Sequence, residues 1–121
     1  MAKLEVTRSL RVAAEVRDVR TRLFEFADRY RFRVSRDMTT VVEFAQGGLL
    51  GELFASDVLK VPTTLRVELE GEGDSTLVTI TLVARARLGL FTAGDRASLD
   101  QRLDLLAGVL SGRSGGDARV R

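Results

Sequence analysis

The side chains able to do chemistry in this 121-residue chain are few, because it contains no histidine, no cysteine and no tryptophan. Without histidine there is no general base that titrates near neutral pH unaided. Without cysteine there is no thiolate nucleophile, and the two side chains most used to hold zinc are missing. Carboxylates remain, notably Glu68 with Glu70 and Asp100 with Asp104. A working acid–base pair needs one carboxylate desolvated so that its pKa rises. Glu68 and Glu70 alternate with Val67 and Leu69, which turns them to water, and Asp100 and Asp104 lie beside a leucine stripe on the wet side of a helix. Both pairs read as surface solubility. Ser9, Ser56, Ser75 and Ser98 have no histidine to activate them, and nothing around Lys3 or Lys60 suggests the desolvation a Ser–Lys pair needs. Gly47, Gly48 and Gly51 are not followed by the Lys-Ser or Lys-Thr of a phosphate loop. The sequence therefore predicts a non-enzymatic protein with no metal and no cofactor.

The cations are unevenly spread. Residues 1–36 carry ten basic and five acidic side chains, residues 37–84 two basic and eight acidic, and residues 85–121 seven and four. Apart from Lys3 and Lys60 all are arginines, the residue suited to bidentate contact with phosphate or carboxylate. Arg8, Arg17, Arg20, Arg31 and Arg33 are the candidate anion-binding residues, and nucleic acid or another polyanion is the partner they would imply. Against that, Glu15, Asp18, Glu25 and Asp28 interrupt the run, and Phe32 is expected to point inward rather than to offer a stacking surface. Arg8 is a misfit, since it takes an even position on a strand whose other even positions are apolar. A bend or a snorkelling side chain would explain it; burial would require a carboxylate or anion partner.

Apolar side chains offer the other route to function. Phe24, Phe26, Phe32, Phe44, Phe54 and Phe91 read first as core. Leu49, Leu50, Leu53 and Phe54 lie in an irregular stretch from Gly47 to Val61, loosened by Gly47, Gly48 and Gly51. A loop that long inside a small domain is often functional, and its large apolar residues must cover the sheet end, a ligand or a second subunit. These four are the candidate ligand or interface residues.

The elements that would position them follow from periodicity. Leu4, Val6, Leu10 and Val12 alternate with polar residues, which predicts a strand over 3–12. Val16, Val19, Leu23, Phe26, Ala27 and Tyr30 recur at helical spacing, predicting an amphipathic helix over 13–29. Phe32 and Val34, then Val42 and Phe44, predict a hairpin. After the irregular segment, Leu65, Val67 and Leu69, then Val78, Ile80, Leu82 and Ala84, predict two strands around the turn Gly71-Glu72-Gly73-Asp74. Thr92 and Asp95 have capping-box spacing and open a helix with Leu99, Leu103, Leu106 and Leu110 on one stripe. Each strand has one apolar face, so the order strand, helix, two strands, lid, two strands, helix predicts an α+β fold. Its curved antiparallel sheet carries both helices on one face. Strand parity puts Glu5, Thr7, Arg31, Arg33, Glu43, Arg66, Glu68, Thr79 and Thr81 on the opposite, solvated face.

This order of elements over residues 3–110 resembles the helix-grip fold of START and Bet v1-like proteins. It also resembles the repeats of TATA-binding proteins. The first resemblance implies a sheet wrapped around a long C-terminal helix, often with an apolar cavity between them; no functional residue of either family is carried by a motif here. Residues 1–112 are expected to form one domain and 113–121 a disordered basic tail. No stretch is long and apolar enough to span a membrane, and no export signal opens the chain, which predicts a cytoplasmic location. The reading is a non-catalytic binding or oligomerisation domain whose partner is an apolar small molecule or a second copy of the chain.

Overall fold

The computed structural model describes residues 2–46, 62–86 and 93–112. Five strands, β1 (Ala2–Val12), β2 (Arg33–Asp37), β3 (Val41–Gln46), β4 (Thr63–Glu72) and β5 (Ser75–Ala86), form a single antiparallel sheet in the order β1-β5-β4-β3-β2. Helices α1 (Val16–Arg29) and α2 (Ala93–Leu110) pack together on one face of it. The first strand pairs with the last, so the open sheet has β1 and β2 as its edges rather than running in chain order.

The register is set by alternation. It aligns Val6, Leu82, Leu65 and Phe44 in one row across the inner face, and Arg8, Ile80, Val67 and Val42 in the next. Shifting any strand by one residue would exchange its apolar set for its polar one, which the buried face forbids. From α1, Val19, Leu23, Phe26 and Ala27 meet these rows, and Leu99, Leu103, Leu106 and Leu110 do so from α2. Phe24 sits edge-on to Phe44 with ring centroids 5.5 Å apart. The outer face is solvated as parity requires: Arg66 bridges Glu43 at 3.5 Å and Glu68 at 3.1 Å, and Thr7–Thr81 and Ser9–Thr79 face each other across strands. The β4–β5 hairpin turns through Gly73 and Asp74, where Gly73 takes φ +68°, the left-handed start that a tight hairpin asks for and that glycine adopts without strain.

Three expectations are corrected. The first helix starts at Val16, not Ala13, because Ala13 and Ala14 turn the chain out of β1. That bend is held by Ala14 N–H to the Val12 carbonyl (2.9 Å) and by the buried Thr76 hydroxyl, which donates to the Ala14 carbonyl at 2.7 Å. Arg31 is not on the outer face of a strand. It adopts φ +63° just after α1, and this left-handed residue folds Phe32 back so that its N–H reaches the Ala27 carbonyl at 2.8 Å. β2 therefore begins later, at Arg33. Val34 pairs with Phe44, yet it is 50% exposed because the sheet edge shifts register between Val34 and Arg36.

Candidate functional site

The register brings most of the chain's ends to one end of the sheet. Gln46 closes β3 opposite Thr63, which opens β4, and Thr63 lies opposite Ala84 near the end of β5, itself opposite Leu4 of β1. The C-terminus of α1 reaches the same end, where the Tyr30 carbonyl meets Gln46. Here the inner face changes character: the last row reads Leu4, Ala84, Thr63, Gln46, half of it polar, where the rows beneath are apolar apart from Arg8 and, at the far end, Thr76.

Around this rim the residues are tied to one another. Gln46 donates its Nε2 to the carbonyl of Tyr30, the residue that caps α1. The Tyr30 ring lies 4.6 Å from that of Phe26, which in turn stacks at 6.3 Å on Phe32. The left-handed turn at Arg31 makes this possible, since it sends the chain back beneath its own helix. From α2, the guanidinium of Arg102 lies over the Tyr30 ring, 5.3 Å from its centroid. The opposite end is closed: Thr76 pins the β1–α1 bend, and Arg22 of α1 donates to the Leu110 carbonyl, the last of α2, at 2.7 Å.

Among the described residues, four arginines are half-buried: Arg8, Arg20, Arg22 and Arg102. Three of them have oxygen acceptors. Arg8 points to the helix side of the sheet and pairs with Asp104 of α2, which resolves its odd place in the strand pattern. Arg20 reaches Asp37 at 2.6 Å and the Met38 carbonyl at 3.0 Å while lying over Phe24, and Arg22 holds Leu110. For Arg102 the aromatic ring is the partner, and among the described residues no carboxylate pairs with it. Burial pushes its pKa below the usual arginine value, an effect that Tyr30 partly opposes.

The structure scatters the predicted anion-binding residues. Arg8 lies on the inner face, Arg17 and Arg20 line an open groove of about 700 Å³ along α1 over Phe24 and Thr39, Arg31 is in the turn after α1, and Arg33 is on the edge strand. Leu49, Leu50, Leu53 and Phe54, with the rest of Gly47–Val61, lie outside the described residues, as do Phe91, Thr92 and the tail 113–121. Of the two carboxylate pairs, Glu68 bonds Arg66 on the outer face and Asp104 bonds Arg8. Among the described residues no cluster of carboxylates could hold a metal ion, and no helix is long and apolar enough to cross a membrane. Sequence reasoning missed Tyr30, Gln46 and Arg102 as a group. Arg102 flanks the leucine stripe, where an arginine reads as solvent-facing, and only the turn at Arg31 reveals what its neighbour is.

No protein-family model matches the sequence, and no curated protein matches it. Solved structures do share its fold. Ara h 8.0201 superposes with a TM-score of 0.63 at 6% identity, over 91% of this chain and 96% of that one. A START superfamily protein from Mycobacterium smegmatis gives 0.52 at 14% identity, over 89% and 94%. The di-domain ARO/CYC BexL from the BE-7585A biosynthetic pathway gives 0.54 at 12% identity; 98% of this chain is covered but 51% of that one, so the chain spans about half its length. The fold is therefore the helix-grip fold. At such identities the likeness is one of architecture.

Proposed function

We propose that this protein is a binding domain that holds an apolar small molecule between the sheet and its helices, entered from the end where Tyr30, Gln46, Thr63 and Arg102 form the rim, and that it works by association rather than catalysis. The observation that carries this reading is the contrast between the two ends of one apolar interior. One end is fixed by the Thr76–Ala14 and Arg22–Leu110 bonds, whereas the other finishes in a polar and aromatic rim. Ligand sites combine apolar lining with a few placed polar groups in this way, and the helix-grip fold often leaves an apolar cavity beneath its C-terminal helix. The chain also supplies its own reporter: Tyr30 is the sole tyrosine and there is no tryptophan, so ultraviolet-excited emission comes from the rim itself.

The test is a titration of the purified protein with decanol, read by Tyr30 emission and calorimetry, beside native mass spectrometry for co-purified mass. Saturable binding of one decanol per chain supports the reading. No co-purified mass, no change in Tyr30 emission and no heat up to the solubility limit of decanol overturn it.

A further inference from the structure

We propose that Arg102 anchors the head group of the bound molecule, so that the site selects apolar ligands ending in a carboxylate. This deepens the reading of the rim as a binding site and rests on it.

The argument starts from the company kept by the half-buried arginines. A guanidinium withdrawn from water is costly unless its donors meet acceptors. Arg8, Arg20 and Arg22 obey that rule with a carboxylate, a carboxylate plus a carbonyl, and a helix-terminal carbonyl. Arg102 is half-buried too but has a ring for company, and the described residues offer its N–H groups no oxygen. Nor is it simply reaching for water, as Arg96 does on the same helix, where the side chain is exposed. Its desolvation is large enough to depress its pKa, the condition under which an incoming anion gains most.

Geometry then names the class of anion. The Arg102 guanidinium carbon lies 5.3 Å from the Tyr30 ring centroid, and a ring offers no oxygen to the five N–H donors of the guanidinium. The fork those donors form matches the two oxygens of a carboxylate in a paired, parallel contact. Tyr30 is itself held in place, with Gln46 bonded to its carbonyl and Phe26 against its ring, so the fork it supports is oriented before any ligand arrives. A single cation with no carboxylate partner among the described residues suits a monoanion, and the apolar rows beneath the rim suit a hydrocarbon body.

The experiment compares decanoate with decanol, which share a chain and differ in charge, by calorimetry at neutral pH on the wild-type protein, Arg102→Gln and Arg102→Lys, each checked for folding by its thermal melt. Apolar transfer alone favours decanol. The proposal expects the wild type to hold decanoate about tenfold more tightly, the discrimination of one charge-assisted contact. Arg102→Gln should remove that preference by weakening decanoate while leaving decanol within about twofold, and Arg102→Lys should keep part of it. Equal affinities in the wild type, or a preference that survives Arg102→Gln, overturn the anchor and leave the apolar site standing. Decanol binding nowhere, to any of the three proteins, overturns both. If Arg102→Gln fails to fold, the wild-type ratio and Arg102→Lys still decide.

Discussion

Replacing Arg22 with alanine isolates what holds the closed end together. The last four carbonyls of a helix have no partner within it. In α2 the Ala107 and Val109 carbonyls are taken by the N–H groups of Ser111 and Gly112, both at 3.0 Å, and Gly112 turns the chain away at φ +90°. Of the other two, Gly108 and Leu110, the Leu110 carbonyl takes its donor from Arg22 at 2.7 Å, from a half-buried position. A hydrogen bond to a charged group contributes about 1.5–3 kcal/mol, and a cation at a helix C-terminus adds about 0.3–1 kcal/mol. Partial exposure argues for the lower part of that range, so Arg22→Ala should cost about 2 kcal/mol, which for a domain of this size lowers Tm by roughly 6–10 °C. Arg22→Lys keeps the charge beside the carbonyl and should lose about 1 kcal/mol. Urea unfolding followed by far-ultraviolet circular dichroism reads both, provided the slope is unchanged. An alanine variant within about 0.5 kcal/mol of wild type would put this bond among ordinary surface contacts and refute the reasoning. A lysine variant as unstable as the alanine one would show that the charge is not what matters.

Thr76→Val keeps the shape but strands the buried Ala14 carbonyl, and should lower stability by about 1–3 kcal/mol in the same urea experiment. Gly73→Ala has open space around an added Cβ, so its cost is the left-handed backbone alone, about 1–2 kcal/mol in urea unfolding. Arg8→Leu, by contrast, should change stability by less than about 1 kcal/mol, because Asp104 is 67% exposed and the pair is well solvated, while leucine extends the Ile80–Val67 row; a loss beyond that would mean the pair positions α2. Amide exchange along α2 should be slow around Leu103–Leu110 and faster toward Ala93, with decanoate slowing the Ala93 end; uniform protection would contradict the contrast between the two ends.

What could be read from the sequence was whatever a period of two or 3.6 encodes. The four long inner-face patterns, on β1, β3, β4 and β5, and both helical stripes occupy the expected faces, because burying an apolar set leaves a strand or helix one orientation. Periodicity failed where a single backbone angle took over. Arg31 interrupts an otherwise plausible alternation of Arg31, Phe32, Arg33 and Val34 by going left-handed, and no residue type there announces it, since the position is not glycine or asparagine. Arg8 was legible as an anomaly but not as a solution, because its partner lies 96 residues away on α2. The rim was less legible still. Tyr30 reads as the last turn of an amphipathic helix, while Gln46 and Arg102 carry no signal of their own in the sequence, and only the fold makes the three neighbours.

The pairing of the two helices also separates stability from recognition in this small chain. The helices run antiparallel, and an arginine joins them at each end: Arg22 of α1 reaches the last carbonyl of α2, and Arg102 of α2 reaches the ring that caps α1. The two contacts differ in kind. The first satisfies donor and acceptor together and so holds the interface in one geometry. The second sets a cation against a ring and, among the described residues, gives its N–H groups no oxygen, which is the opening the proposed carboxylate would fill. A protein built for rigidity alone would have placed an aspartate opposite Arg102, as it did for Arg8 and Arg20. With no acid opposite Arg102 among the described residues, the proposed ligand carboxylate would take the place that Asp104 and Asp37 take for the other two arginines.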